Sequence, residues 1–394
     1  VYLVDRVVPM LPERLSNELC SLKPNEDKLC FSAVFQMNEK AEVLDQWFGK
    51  TIIHSDRRFD YAQVQEIIEN SEGEMKDEIL KLHELSSMLR DLRFKKGAFS
   101  FERVEVKFQL DNTGKPIGVY FKEAKDSNWL IEEFMLLANK KVAEKIGKVK
   151  KGTQAKTFVY RIHDRPDPEK IMNFSNFVHR FGYSLKTGTD QAIAHSMNKL
   201  VHDIKGKNEQ YILESLAIRT MAKAKYSGKN IGHYGLAFPY YTHFTSPIRR
   251  YPDLMVHRLL QSYLDGEKSE NSRKHEMRCE HSSAREELAV QAERASVKYK
   301  QVEFLKDHIG EEYDGIISGV NEWGFYVELT DNHCEGMVPV RELSDDFYEY
   351  DESNYCLVGS RTRRRFEIGQ PVRVEIIRAD LARRQLDFAL ASNE

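Results

Sequence analysis

The stretch HFTSPIRRYPDLMVHRLL, residues 243–260, is where two kinds of sequence meet. Before it, KYSGKNIGHYGLAFPYYT (225–242) is dense in Gly, Pro, Tyr and His with little periodicity. It reads as an ordered loop of the kind that carries function. After it, helical text begins at about Leu254. Inside it, Ser246 fits a helix cap with Pro247 at the first helical position. Arg249 would then stand in the first turn, where free N–H groups and a guanidinium converge on one point that suits a phosphate. Pro252 implies a restart or a kink. On the residues alone two readings stay open: a capped helix with surface arginines, and an anion site.

Working outward from there, residues 166–225 are mostly helical text, and NWLIEEFMLLANKKVAEKI (128–146) has apolar residues at helical spacing. Val104, Val106, Phe108 and Leu110 alternate, DNTGKP follows, and Ile117, Val119 and Phe121 alternate back, which predicts a hairpin. Residues 60–95 read as helix, and 1–35 as an irregular segment leading into the strand LCFSAVFQM. Downstream, a long helix is expected over about 281–306, with a stripe Ala284, Leu288, Ala292, Ala295, Tyr299, Val302. Past 308 the grammar changes to five short strands in YDGIISGV, WGFYVEL, EGMVPV, QPVRVEIIRAD and QLDFAL. That spacing predicts a small closed barrel of OB type. The expected architecture is α+β over 1–307, a mixed sheet with helices, followed by an all-β OB barrel over 308–394.

Composition bounds what such a chain can do. At 394 residues, 41% hydrophobic and 31% charged, it is a globular chain of two or three domains. No apolar run reaches the ~18 residues of a membrane span. The five cysteines are scattered without a CxxC pair, against a disulfide framework or a thiolate zinc site and in favour of a reducing cytoplasm. With a net charge of −3, any nucleic-acid partner must meet locally concentrated cations. Lys140, Lys141, Lys145, Lys148, Lys150 and Lys151 form one such run and Arg361–Arg365 another. Each reads either as solvated surface or as a patch tracking a phosphate backbone. Trp323, Phe325 and Tyr326 are either barrel core or platforms on which bases stack.

The motif HFTSPIRRYPDL followed by HR is similar to the signature of the RNB-domain exoribonucleases, the ribonuclease II and ribonuclease R family. VVPMLPERLSNELCSL, LIEEFMLLAN, FVYRIHDRP and NIGHYGLAFPYYTHFTSPIRRYPDL resemble that family in its order, with ribonuclease R the nearer branch. In the barrel text, G-x-I-x-x-V-x-x-x-G-F-x-V followed by EGMV resembles the S1-type RNA-binding domain, with Pro339 where that pattern often has His. The resemblance implies a monomeric enzyme that degrades single-stranded RNA processively from the 3′ end to nucleoside 5′-monophosphates, by two-metal hydrolysis with Mg²⁺. It implies that Arg249 holds the scissile phosphate, that Tyr2 stacks on the terminal base and Phe101 clamps the stack. It further implies that Tyr61 and Glu132 contact terminal sugars, that Glu286 stands near the reacting nucleotide, and that Trp323 and Phe325 bind RNA.

The family's metal-binding aspartates, D-x-x-D-x-D-D, are expected upstream of Val1. Neither DRPDPE (164–169) nor DDFYEYDE (345–352) has their spacing. The expectation is therefore the C-terminal part of a ribonuclease, inactive alone. The alternative is a non-catalytic relative that binds single-stranded RNA.

Overall fold

The computed structural model describes residues 1–99, 105–207, 209–352 and 354–391. Two of the expectations above, Phe101 and Val104, lie outside the described residues. The first sheet is a long hairpin, β1 (Asp27–Met37) and β2 (Val43–His54). Its turn is tied by Asn38, whose Oδ1 accepts from Lys40 N and Glu42 N at 3.0 and 2.9 Å. Helices α1 (Tyr61–Asn70) and α2 (Lys76–Lys95) follow. Asp60 and Gln63 form a reciprocal capping box at the start of α1, satisfying two N–H groups that a helix end leaves open.

The expected second hairpin is β3 (Glu105–Leu110) with β4 (Pro116–Lys122). Asp111 Oδ1 accepts from Thr113 N and Lys115 N and closes its turn. Then come α3 (Asp126–Gly147), the short strand β5 (Tyr160–Ile162), and three helices, α4 (Pro168–His179), α5 (Asp190–Ile204) and α6 (Gln210–Thr220). Strand β6 (Lys225–Ser227) pairs antiparallel with β5. Helix α7 (Tyr251–Leu264) leads to α8 (Ser272–Leu305), which is capped by the Asn271 side chain on Lys274 N.

The C-terminal strands are β7 (Glu312–Asn321), β8 (Gly324–Leu329), β9 (Glu335–Pro339), β10 (Tyr348–Asp351), β11 (Cys356–Gly359), β12 (Arg365–Glu367), β13 (Pro371–Asp380) and β14 (Gln385–Leu390). The five strands expected from sequence close into a barrel, in the order β13-β14-β9-β8-β7. Strands β10 to β12 form a small antiparallel sheet inserted between β9 and β13. A mixed α/β region followed by a β barrel is therefore the observed fold. Two glycines are required by close approach: a Cβ on Gly336 would meet the Phe388 ring at 2.4 Å, and one on Gly324 would meet Val338 O at 2.2 Å.

Three apolar cores result. One joins β1/β2, α3, β5/β6 and α7, and includes Cys279 of α8. A second is built by α4, α5 and α6. The third fills the barrel and takes in Phe108 of β3 with Val302 and Leu305 of α8. Helix α8 thus runs from the first core to the third. Its middle stretch is polar and belongs to neither, as befits a helix bridging two packed bodies. This corrects the expected stripe: Leu288 is 53% exposed and Ala284 and Ala292 are exposed, while Val302 alone of the six is buried.

Phe325 needs a correction too. It is fully buried and stacks on Phe366 with centroids 4.7 Å apart, so it is core and offers no face to a base. The outward positions are Trp323, 69% exposed, and Tyr326. Phe325→Ala should cost about 3–5 kcal/mol of barrel stability. Trp323→Ala should shift it by no more than about 0.5 kcal/mol. Denaturant midpoints of the two variants check this, and equal losses would reverse the assignment.

Candidate functional site

The segment 243–253 is organised by one carboxylate. Asp253 is fully buried. Its Oδ1 accepts the Ser246 N–H at 2.7 Å, and its two oxygens take a fork from Arg250, Nε at 2.9 Å and Nη2 at 2.8 Å. The backbone between them folds as a turn, with Arg250 N on Ser246 O at 3.0 Å. The regular helix begins only at Tyr251, with Arg250 as cap and Pro252 in the first turn. The expected cap at Ser246 is therefore replaced by a turn. A Pro at 252 is compatible with a helix start and not with an interior, which fixes the boundary. With Arg250 engaged, Arg249 is turned outward. It is exposed and forms no ion pair with any described residue.

Arg249 lines a cleft of about 1510 Å³ together with Tyr2, Met10, Tyr226, Tyr251 and Glu286. Helix α8 fastens the other parts of this cleft. Glu293 Oε1 accepts from Tyr2 N at 2.9 Å, and Ser296 Oγ from Val4 N at 3.1 Å. The Tyr2 ring stays 54% exposed. Glu286 receives Arg161 Nη1 at 2.5 Å, and the same guanidinium lies 4.7 Å over the Tyr226 ring. Tyr226 Oη is 2.8 Å from His243 Nδ1. Burial pushes the Tyr226 phenol up and holds the imidazoles of His243 and His233 down at about 2 and about 3, so both rings stay neutral.

Of the residues singled out from sequence, Tyr2, Arg249 and Glu286 therefore share one cleft. Tyr61 and Glu132 do not line it. Tyr61 opens α1, 48% exposed, with Lys122 Nζ 5.8 Å over its ring. Glu132 stands on α3 with Arg93 Nη2 3.4 Å from its carboxylate, while its neighbour Glu133 is buried and holds the same guanidinium through Nε at 3.1 Å. Lys140 is drawn over the Phe238 ring at 5.1 Å, whereas Lys145, Lys148, Lys150 and Lys151 remain exposed.

On the barrel, the two opposite charge runs staple each other. Asp346 accepts from Thr362 N and Oγ1 and from Arg361 N, and these bonds, those of Thr362 first, hold its carboxyl below the usual range, while Asp345 takes Arg364 at 3.1 Å. Sequence reasoning missed Arg161 and Asp253. The Arg161–Glu286 pair spans 125 residues and leaves no local trace, whereas Asp253 sits three residues after Arg250, a spacing that helix geometry brings together.

The described residues contain no group of three or more His, Cys, Asp or Glu placed to hold a metal ion. The two cleft carboxylates are already engaged, Glu286 by Arg161 and Glu293 by the Tyr2 N–H. These residues therefore do not fit a Mg²⁺ ion.

Comparison with known proteins agrees with the sequence motifs. The model of the RNB domain matches residues 1–266, and that of the S1 RNA binding domain matches 306–390. Ribonuclease R 1 of Lactococcus lactis is 37% identical over 100% of this chain and 49% of its own length. Ribonuclease R of Aquifex aeolicus is 36% identical over 99% of this chain and 56% of its own. The structure of Mycoplasma genitalium RNase R in complex with ribose methylated single-stranded RNA superposes with a TM-score of 0.87 at 27% identity, over 98% of this chain and 61% of that one. The chain thus spans about half the length of the curated relatives it matches.

Two outcomes test the site's construction. Asp253→Ala leaves Arg250 unpaired beside a buried hole and should cost about 3–5 kcal/mol, read as a lowered unfolding midpoint. His233 and His243 protonate near pH 6.5 once unfolded but stay neutral in the fold. The unfolded chain then binds the extra protons, so stability is full above that pH and falls on acidification, by up to about 1.4 kcal/mol per pH unit for each ring. The melting temperature should drop between pH 7 and pH 5, and drop less in His243→Phe. An equal drop in the variant would remove His243 from this account.

Proposed function

The chain belongs to the RNB family and carries a C-terminal S1 domain, and on that premise we propose that it is the RNA-gripping part of a 3′–5′ exoribonuclease. The substrate is single-stranded RNA, taken from the 3′ end and released as nucleoside 5′-monophosphates. The metal-assisted hydrolysis and its aspartates belong to the whole protein, with Mg²⁺ supplying the activated water when bound. We divide the chain at residue 307, with RNB residues before it and the S1 barrel from 308 to 394.

The observation that carries this reading is the pairing of Arg249, without an ion-pair partner, with the exposed Tyr2 ring in one cleft. A guanidinium offers a planar fork that matches two phosphate oxygens. It acts best where its own counter-ion is absent, and the Asp253–Arg250 pair ensures that the neighbouring arginine takes that counter-ion. Tyr2 offers a face for one base, worth about 1–3 kcal/mol. Its backbone is held by Glu293, so ring and guanidinium are positioned by different elements around one opening. Glu286 is held by Arg161 at the wall of the same cleft, and is proposed to stand near the reacting nucleotide. Tyr61, Glu132 and Trp323 are proposed as contacts further along the strand, Tyr326 replacing Phe325 on the barrel.

In the whole protein with Mg²⁺ and 3′-labelled RNA, Arg249→Ala should lower mononucleotide release by about 10²–10³-fold while RNA affinity changes little. Arg250→Ala should instead lower stability. An unchanged rate in the Arg249 variant would refute its role. RNA left intact by the unaltered protein, yet bound in a salt-sensitive way, would make the protein a binder and not an enzyme.

A further inference from the structure

Helix α8 presents Lys274, Arg278, His281 and Arg285 to the cleft. At 3.6 residues per turn these four fall within an arc of about 60° and run for about 16 Å along the axis. None of Lys274, Arg278 and Arg285 forms an ion pair with a described residue. The acids of the same helix are occupied elsewhere. Glu276 accepts from Ser227 Oγ and Gly228 N, Glu286 from Arg161, Glu287 from Lys223 at 2.8 Å, and Glu293 from Tyr2 N. Glu280, the remaining acid of this stretch, lies about 120° round the helix from Lys274. The cations on the cleft face are therefore left without neutralisation on their own helix.

The rest of the lining differs in character. Tyr2, Val7, Val8 and Met10 of the N-terminal segment also line the cleft, each between 40% and 58% exposed. A cleft lined both by a cationic row and by exposed apolar and aromatic side chains suits a single nucleic-acid strand, which offers phosphates and base faces together. We propose that Lys274, Arg278 and Arg285 form a phosphate track that carries an RNA backbone along α8 to Arg249. The assignment rests on the reading of this chain as an RNA-gripping protein and adds the side chains that hold the strand's backbone within the cleft.

The test is the salt dependence of binding of a fluorescent single-stranded oligoadenylate to the full chain, followed by anisotropy at pH 7.5. Each phosphate contact contributes about 0.7 to the slope of log affinity against log salt on a single strand. The variant Lys274→Gln/Arg278→Gln/Arg285→Gln should have a slope shallower by about 2. Arg278→Lys/Arg285→Lys, which keeps the charges, should retain the slope of the unaltered chain. Should the triple variant melt early, Arg278→Gln and Arg285→Gln alone should each lower the slope by about 0.7. An unchanged slope in a folded variant overturns the track while leaving RNA binding in place. Absence of any salt-dependent binding by the unaltered chain overturns the RNA reading and the track with it. Polyglutamate that binds the unaltered chain and not the triple variant, with the RNA slope unchanged, gives the row to an acidic polypeptide and overturns the proposal.

Discussion

One buried carboxylate sets the chemistry of the cleft. Asp253 accepts a backbone N–H from one end of a proline-bracketed turn and a two-point fork from Arg250 at the other. Two adjacent arginines would otherwise be equivalent, flexible and mutually repelling. The pairing makes them different: one is fixed in the protein with its charge balanced, and its neighbour is left charged and turned to the cleft. A buried ion pair is weak evidence for stability, but a strong device for deciding which side chain goes where.

Around that turn the architecture follows from α8. Its Cys279 packs with the core that holds the loop, and its last turns close the barrel core with Val302 and Leu305. Along most of its length the helix uses its carboxylates as fasteners. Glu276, Glu286, Glu287 and Glu293 each reach a different segment, so strand β6, strand β5, the linker after α6 and the N-terminal segment are all registered against one rod. That arrangement explains why a helix whose exposed middle would be poor core is 34 residues long. It also explains why the cations of its cleft face remain available.

Local patterns were legible in the sequence and long-range pairings were not. The five barrel strands and the second hairpin follow from period-two alternation and turn residues, which act within a few residues. Helical text was legible over 60–95, 128–146, 166–225 and from about Leu254, but the breaks between α1 and α2 and among α4, α5 and α6 were not, and the cap expected at Ser246 is not the one formed. The barrel aromatics show where that reasoning stops. Alternation says that Phe325 and Tyr326 face opposite ways, but which one is inside depends on the closure of β7 against β13. The α8 stripe failed for a related reason, since helical periodicity assumes one partner along the whole length. At the site, the family motif pointed to Arg249, and Tyr2 and Glu286 were reached through the same resemblance. The division of labour between Arg249 and Arg250, and the Arg161–Glu286 pair, required knowing which carboxylate is buried and which segments meet.

The central claim is that the guanidinium left free by the Asp253–Arg250 pair meets a phosphate of a strand whose base lies on the Tyr2 ring. A structure of the chain bound to a short single-stranded oligoribonucleotide tests this most directly. The account predicts a phosphate oxygen about 2.7–2.9 Å from the Arg249 guanidinium, with Arg250 still on Asp253 and a base over Tyr2. A strand that leaves the cleft empty, or a phosphate held by Arg250 with Asp253 released, would contradict it.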